Sequence, residues 1–410
     1  MGADVSADAE SLATAGLEWM LGSASATDDG LVWTGRPDDD EVDPTLYRGA
    51  AGIVVALIEA HRHLGGDRWA DAAVRGASAL AAAPDSGPSS LYFGLSGTAF
   101  ALHEVGTALD RSDLVGAATR SREVVRSRFD GERWADQFEL LGGNAGIALG
   151  ALAAGDLDLA VLAVEPYTRT VEVTPHGVHW EVRRGVPARF HHISHGTLGI
   201  VLALASVGAA AGRDDLVELA LSGAADVVAR DEAGPDGFLV PHSDPQHKPE
   251  IVERYSYGWC HGPAGDAQVF RLLHRLTGDP AWTALVDRCW HTVTASGLPE
   301  RLRPGFWDNN GRCCGTAGVL ALAVDLAAEG RTDLTFARVL VDDLAARATV
   351  DPTGARWSNH EHRVTPSELS PRRGWAMGNA GIVRELLRYA RIADGRDPTY
   401  AVAWPDHPAV

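Results

Sequence analysis

Three of the four cysteines in this chain stand where a metal ion would want them. Cys260, Cys313 and Cys314 lie one or two residues before the first glycine of a G-x-x-G tetrapeptide, in WCHGPAG and RCCGTAG. Thiolate sulfur is a preferred ligand of Zn2+, which takes about four ligands and keeps one position open where it does chemistry. These three cysteines, from two neighbouring loops, would fill three positions and leave the fourth to water or a substrate. A disulfide between two of them, or inert buried thiols, are the competing readings, and the shared loop position favours zinc. The fourth cysteine, Cys289, falls inside an amphipathic segment and reads as a small core residue. His195 and His261 stand directly before Gly196 and Gly262, in the same kind of loop. Histidine titrates near neutrality, so either can move a proton.

Loops far apart in sequence share a site only if a repeated architecture brings them together. The G-x-x-G element recurs seven times, with its first glycine at 49, 94, 143, 196, 262, 315 and 378. Each copy opens an apolar run such as IVVALIEAHRHLG, VLALAVDLAAEG or IVRELLRYARIADG, the signature of a buried helix. Between them lie amphipathic segments with charges at helical spacing, for example DRWADAAVRGASALAAA and RDDLVELALSGAADVVAR. Buried and surface helices therefore alternate at intervals of roughly 45 to 65 residues, near the period of stacked or closed arrays. The simplest arrangement is an all-α, α/α toroid of seven inner and seven outer helices, one domain over residues 1–410. A lone G-x-x-G signals only close packing at a helix start, and at least four copies need no more than that. Their common register places the residues before each first glycine on one rim. Residues 164–192 include TVEVTPHGVHWEVRR, which alternates like a short β-hairpin, and 236–259 begin Pro-rich and turn-like. Such insertions tend to lie on the functional face. Their histidines, His176, His179, His191, His192, His242 and His247, read as polar surface.

Composition narrows the function. A formal net charge of −19 argues against a nucleic-acid surface and against anionic membranes. No run approaches the ~18 apolar residues of a membrane span, and the first residues, MGADVSADAESLATAG, lack the basic and apolar regions of a secretory signal. Four cysteines are too few for a disulfide scaffold and fit a cytoplasmic protein.

Taken together, WCHG, RCCGTAG, ISHG, FELLGGNAG and NHEHRVTP…RGWAMGNAG make the chain resemble the lanthipeptide cyclases, the LanC-like proteins, over essentially its whole length. The resemblance implies an α/α toroid with a central zinc that binds a cysteine of a modified peptide. That thiol adds to dehydroalanine or dehydrobutyrine and gives a lanthionine or methyllanthionine ring. Cys260 and Cys313 match the family's two cysteine ligands, and Cys314 stands where the family usually has histidine. His195 matches its catalytic histidine, and Trp259 fits the motif around the first ligand. Glu139 occupies the place of a family Asp, with Asp136 three residues earlier, and His261 replaces an aromatic residue. Three thiolates leave zinc at a formal −1, which makes it a poorer Lewis acid and a bound thiolate a better nucleophile. In this reading His195 protonates the enolate, Glu139 orients it or accepts a proton, and His261 either assists or points away.

The partners implied are a dehydrated precursor peptide and a separate dehydratase. Competing functions are addition of a small thiol such as glutathione, and a non-catalytic peptide-binding scaffold with structural zinc. A toroidal glycosidase would need paired acids facing a groove, and a terpenoid cyclase an Asp-rich metal motif. The sequence offers neither convincingly.

Overall fold

The structure is a computed structural model that describes residues 2–300, 309–358 and 370–408. Each G-x-x-G opens an inner helix because the chain doubles back tightly on the helix start. The inner helices are Ala50–Leu64, Leu95–Ala108, Asn144–Ala153, Thr197–Ala211, Pro263–Thr277, Thr316–Ala328 and Asn379–Ala393. A Cβ on the second glycine of any copy would fall 1.9–2.6 Å from a carbonyl oxygen of the preceding loop, from Leu46 O at Gly52 to Trp375 O at Gly381. No side chain fits under that fold-back, so the packing role of glycine holds in all seven copies.

The outer helices are Gly2–Gly22, Asp67–Ala82, Ser112–Ser127, Leu157–Val164, Asp214–Val228, Pro280–Ala295 and Thr335–Arg347. From Ala50–Leu64 onward, each inner helix packs on the outer helix that follows it; the last, Asn379–Ala393, packs on Gly2–Gly22. The inner helices also touch one another in sequence order, and the last meets the first. The ring of seven inner and seven outer helices is therefore closed, as the alternating pattern predicts.

Short antiparallel pairs decorate the ring. Glu172–Thr174 pairs with Gly177–His179, the hairpin expected within 164–192. Two similar hairpins, Ser25–Thr27 with Gly30–Val32 and Thr349–Asp351 with Gly354–Arg356, lie elsewhere. Each hairpin ends in a buried tryptophan (Trp33, Trp180, Trp357) whose indole N–H donates to a carbonyl of Met20, Tyr167 or Leu344 at 2.8–2.9 Å. A fourth pair, Arg189–Phe190 with Ser243–Asp244, ties the two insertions together.

Two inner helices depart most from the apolar pattern: Pro263–Thr277 buries Asp266, Gln268 and Arg271, and the last inner helix goes further. Asn379–Ala393 buries Arg384, Glu385, Arg388 and Arg391. The C-terminal segment meets them: carbonyls at Pro398, Thr399 and Val402 accept from Arg388, Arg391 and Arg384, and the Tyr400 hydroxyl donates to Glu385. Glu59 and Asp325, also buried, face Arg391 and Arg388 at 2.5 and 2.6 Å. Among the described residues no helix is long and apolar enough to cross a membrane.

Candidate active site

The common register of the repeats has a physical basis. The residue two before each first glycine belongs to a backbone annulus: Ser194 N–H donates to Cys260 O (3.3 Å), Cys260 to Cys313 (3.0 Å), and Cys313 to Ala376 (2.8 Å). The chain of bonds continues from Ala376 to Tyr47 (3.0 Å), Tyr47 to Tyr92 (2.9 Å) and Tyr92 to Leu141 (3.3 Å). At Leu141 the pattern changes. Its N–H donates instead to Glu139 Oε2 at 2.6 Å, and Gly142 N–H donates to Oε1 at 3.1 Å.

The annulus sets Cys260 beside Cys313, and Cys314 follows on the rim. Their sulfurs converge: Cys260 Sγ lies 3.1 Å from Cys314 Sγ, Cys314 Sγ lies 3.4 Å from Cys313 Sγ, and all three fall within 4.8 Å of one another. All are buried thiols with no disulfide, and Cys289 is a buried core thiol as expected. A tetrahedral shell with Zn–S of ~2.3 Å spaces sulfurs ~3.8 Å apart, so the 3.1 and 3.4 Å separations would open by about 0.7 and 0.4 Å to admit the ion. The helices Pro263–Thr277 and Thr316–Ala328 begin just after these cysteines, and their positive ends favour thiolate. Hydrogen bonds from Cys260 and Cys314, and then from Tyr47, hold the Cys313 thiol well below its usual range. Cys260 is pushed up by burial, and Cys314 by its bonds to the other two sulfurs. A dry site of this kind does not ionise three thiols at once without a cation to share the charge, and the donor set fits zinc.

The sulfurs open on a cavity of about 510 Å³. Six of the seven residues directly before the first glycines line it: Arg48, Phe93, His195, His261, Cys314 and Met377. Glu139 is fully buried and its Oε2 lies 3.3 Å from His195 Nδ1, which leaves Nε2 as the ring nitrogen available to the cavity. His261 stacks on His195 with ring centres 5.3 Å apart and planes at 27°. Burial, reinforced by the charges of His242, His195 and His192, holds His261 well below its usual range, so it is neutral at physiological pH.

The structure separates the two candidate carboxylates. Asp136 lies at the outer end of a short backbone pairing, where its carbonyl accepts from Arg184 N–H at 2.9 Å and its side chain is 82% exposed. It is not part of the site, and Glu139 alone reaches His195. The insertion histidines also need correction. His176 is exposed and His247 half-buried, but His179, His191, His192 and His242 are buried. The pairing of Arg189–Phe190 with Ser243–Asp244 folds the insertions over the site, with His242 4.0 Å from the His261 ring and His192 Nδ1 2.9 Å from buried Asp266. Burial holds His191 and His242 down at about 3. The NHEHRVTP stretch, residues 359–366, lies outside the described residues.

Sequence reasoning passed over Tyr47, whose phenol donates to Cys313 Sγ at 3.5 Å. The signal was available, since Tyr47 precedes Gly49 by the interval that separates Cys313 from Gly315.

The family model for "Lanthionine synthetase C-like protein" matches residues 40–248 and 246–341. No curated protein matches the chain by sequence. Among solved structures, a nisin cyclase is similar at 14% identity and TM-score 0.60, over 85% of this chain and 88% of that one. A family 76 α-mannanase of Bacteroides thetaiotaomicron is similar at 11% identity and TM-score 0.52, over 93% of this chain and 95% of that one. An α-1,6-mannanase of Salegentibacter sp. HEL1_6 follows at 11% identity and TM-score 0.50, over 94% and 99%. At these identities the likenesses establish the toroidal fold alone.

Proposed function

Because the chain belongs to the lanthionine synthetase C-like family, we propose that it is a zinc-dependent cyclase acting on a ribosomally made, dehydrated peptide. It adds cysteine thiols to dehydroalanine or dehydrobutyrine and so forms lanthionine and methyllanthionine thioethers. Residues 1–410 act as one domain in this reading. The work is placed in the cytoplasm, and dehydration falls to a separate dehydratase. The observation that carries the proposal is the convergence of three cysteine sulfurs from two repeats beside a cavity that also receives His195.

Cys260, Cys313 and Cys314 would hold the zinc, which when bound favours ionisation of a fourth, substrate thiol near neutral pH. Glu139 Oε2 faces His195 Nδ1 at 3.3 Å, and His261 stacks on the ring's face. The substrate thiol proton passes to His195 Nε2 while sulfur bonds to the β-carbon. The electron pair of the double bond moves toward the carbonyl as an enolate, and Nε2 returns the proton to the α-carbon. One C–S and one C–H bond form, one S–H bond and one π bond are lost, and there is no leaving group.

The toroidal glycosidases share the fold, but their reaction needs two carboxyl groups free to flank a glycosidic bond. Of the cavity acids, Asp39 accepts from Arg36 N–H, and Asp43 accepts from the amide and hydroxyl of Thr45. Both serve their own loop.

The test uses a dehydrated, cysteine-containing peptide and counts free thiols by alkylation and mass spectrometry, because ring closure does not change mass. The wild-type protein is expected to carry about one zinc per chain and to consume thiols. A Cys313→Ser, Cys314→Ser double variant is expected to lose the metal and leave closure at its spontaneous rate. Equal thiol consumption by the two proteins would overturn the proposal.

A further inference from the structure

Tyr47 holds in the first repeat the register position that Cys260 and Cys313 hold in theirs. Its carbonyl accepts from Ala376 N–H at 3.0 Å, and Ala376 O accepts from Cys313 N–H at 2.8 Å, so two annulus bonds fix Tyr47 relative to Cys313. The ring is further set by Phe93, with centroids 5.0 Å apart, and by Tyr92 edge-on at 6.2 Å. So held, the phenol lines the cavity and its O–H reaches Cys313 Sγ at 3.5 Å.

A site of three thiolates has an excess of negative charge, and a hydrogen bond to one ligand sulfur draws part of that charge away. It also fixes the rotamer in which that sulfur faces the other two. Groups that bond to a metal ligand in this way tune both affinity and electron donation.

We propose that Tyr47 is a positioning residue of the cysteine centre, whose phenol hydrogen bond holds Cys313 Sγ as a ligand and lessens electron donation from that sulfur to the metal. The inference rests on the zinc reading above and assigns a role to a residue that is not one of the proposed ligands.

Cobalt(II) loaded in place of zinc reports the sulfur directly, through its near-ultraviolet sulfur-to-cobalt charge-transfer band. In Tyr47→Phe the sulfur loses its donor and its lone pairs rise in energy. The band should move to longer wavelength, and a chromophoric chelator should extract zinc about 10- to 100-fold more readily. Phe93→Leu disturbs the packing of the same ring without removing the hydroxyl, and should move the band much less than Tyr47→Phe does. A wild-type protein with no charge-transfer band would sink the metal reading itself. A normal wild-type band that Tyr47→Phe leaves unmoved, with unchanged zinc extraction, would overturn the role of Tyr47 while the metal reading stands. Equal shifts in Tyr47→Phe and Phe93→Leu would reduce the effect to packing and overturn it too.

Discussion

The Glu139 carboxylate lies 3.3 Å from Nδ1 of His195 while the amides of Leu141 and Gly142 hold its two oxygens. One side chain therefore does two things. It ends the backbone annulus where Leu141 N–H turns away from the neighbouring repeat, and it presents an anchored acceptor to the histidine that follows in the next loop. A carboxylate held by two amides has little freedom to swing, so the negative charge facing His195 Nδ1 is fixed in place. A glutamate serves here where the family resemblance places an aspartate.

The third thiolate is the chain's own departure from the family pattern. Cys314 Sγ sits within 3.4 Å of both other sulfurs, so in the proposed centre it supplies the third ligand. Cys314→His is expected to keep zinc and to slow ring closure by roughly tenfold, or ~1.4 kcal/mol on the barrier. The reason is that a neutral imidazole returns one unit of charge to the metal. Metal analysis and thiol counting on the same preparation decide it. Full zinc with an unchanged rate would show that the extra charge has no bearing on the reaction.

What could be read from the sequence was whatever recurs. The G-x-x-G copies give the helix starts, and the residues before them give the rim, so Cys260, Cys313, Cys314, His195 and His261 were legible as neighbours. Contacts made once, between distant segments, were not. His192 and His242 are buried because Arg189–Phe190 pairs with Ser243–Asp244, a two-residue match with no pattern of its own. Asp136 and Glu139 are three residues apart, and only the outward turn at Arg184 shows which carboxylate faces inward. The last inner helix reads in sequence as one more buried run, and nothing there says where its Arg384, Glu385, Arg388 and Arg391 go. They are buried because the C-terminal segment folds across them and supplies carbonyl acceptors.

Asp325 is the acid on which that buried charge depends. It is fully buried and meets Arg271 at 2.9 Å, Arg388 at 2.6 Å and His407 at 2.8 Å. Burial alone would raise its pKa, but the charges of Arg271, His407 and Arg388 outweigh it and hold the carboxyl well below its usual range. Asp325→Asn removes the carboxylate that Arg388 faces and leaves Glu329 as the carboxylate facing Arg271; it is expected to cost ~3–5 kcal/mol, measured by chemical denaturation. A depressed pKa gives stability that is present above the unfolded value and lost as pH falls through the folded one. The gap between wild type and variant should therefore be level from mildly acidic pH upward and narrow only in strong acid.

Glu104, on the inner helix Leu95–Ala108, shows the opposite sign. Burial raises its carboxyl from 4.5 to about 7. The folded state then binds the proton more tightly than the unfolded chain, so stability is lost as pH rises between those values. Glu104→Gln is expected to be near neutral at pH ~4 and to stabilise the protein by about 2 kcal/mol at pH ~8, after allowance for its partial exposure. Melting curves of both proteins across this range test the sign. A difference that does not grow with pH would show that Glu104 finds a partner when ionised.

His195 carries the catalytic reading, and its surroundings say what its removal should do. It is the only histidine in the cavity lining placed against a carboxylate there, because His261, the other, is neutral and stacked on its face. His261 is therefore poorly suited to replace it as proton donor. The cysteine centre is held by the annulus and not by His195, so His195→Ala should leave zinc content and peptide affinity nearly intact. Ring formation should fall by ~10² or more, the usual size of a general acid–base contribution. Glu139→Gln leaves one acceptor oxygen where the carboxylate offers one to each amide, and loses the charge facing Nδ1; it should cost less than His195→Ala while shifting the pH profile of closure. Loss of zinc in His195→Ala would mean that the imidazole is itself a ligand and the centre closed, which favours a structural metal. Wild-type closure rates in His195→Ala would remove the residue from the reaction and leave the proton to come from solvent.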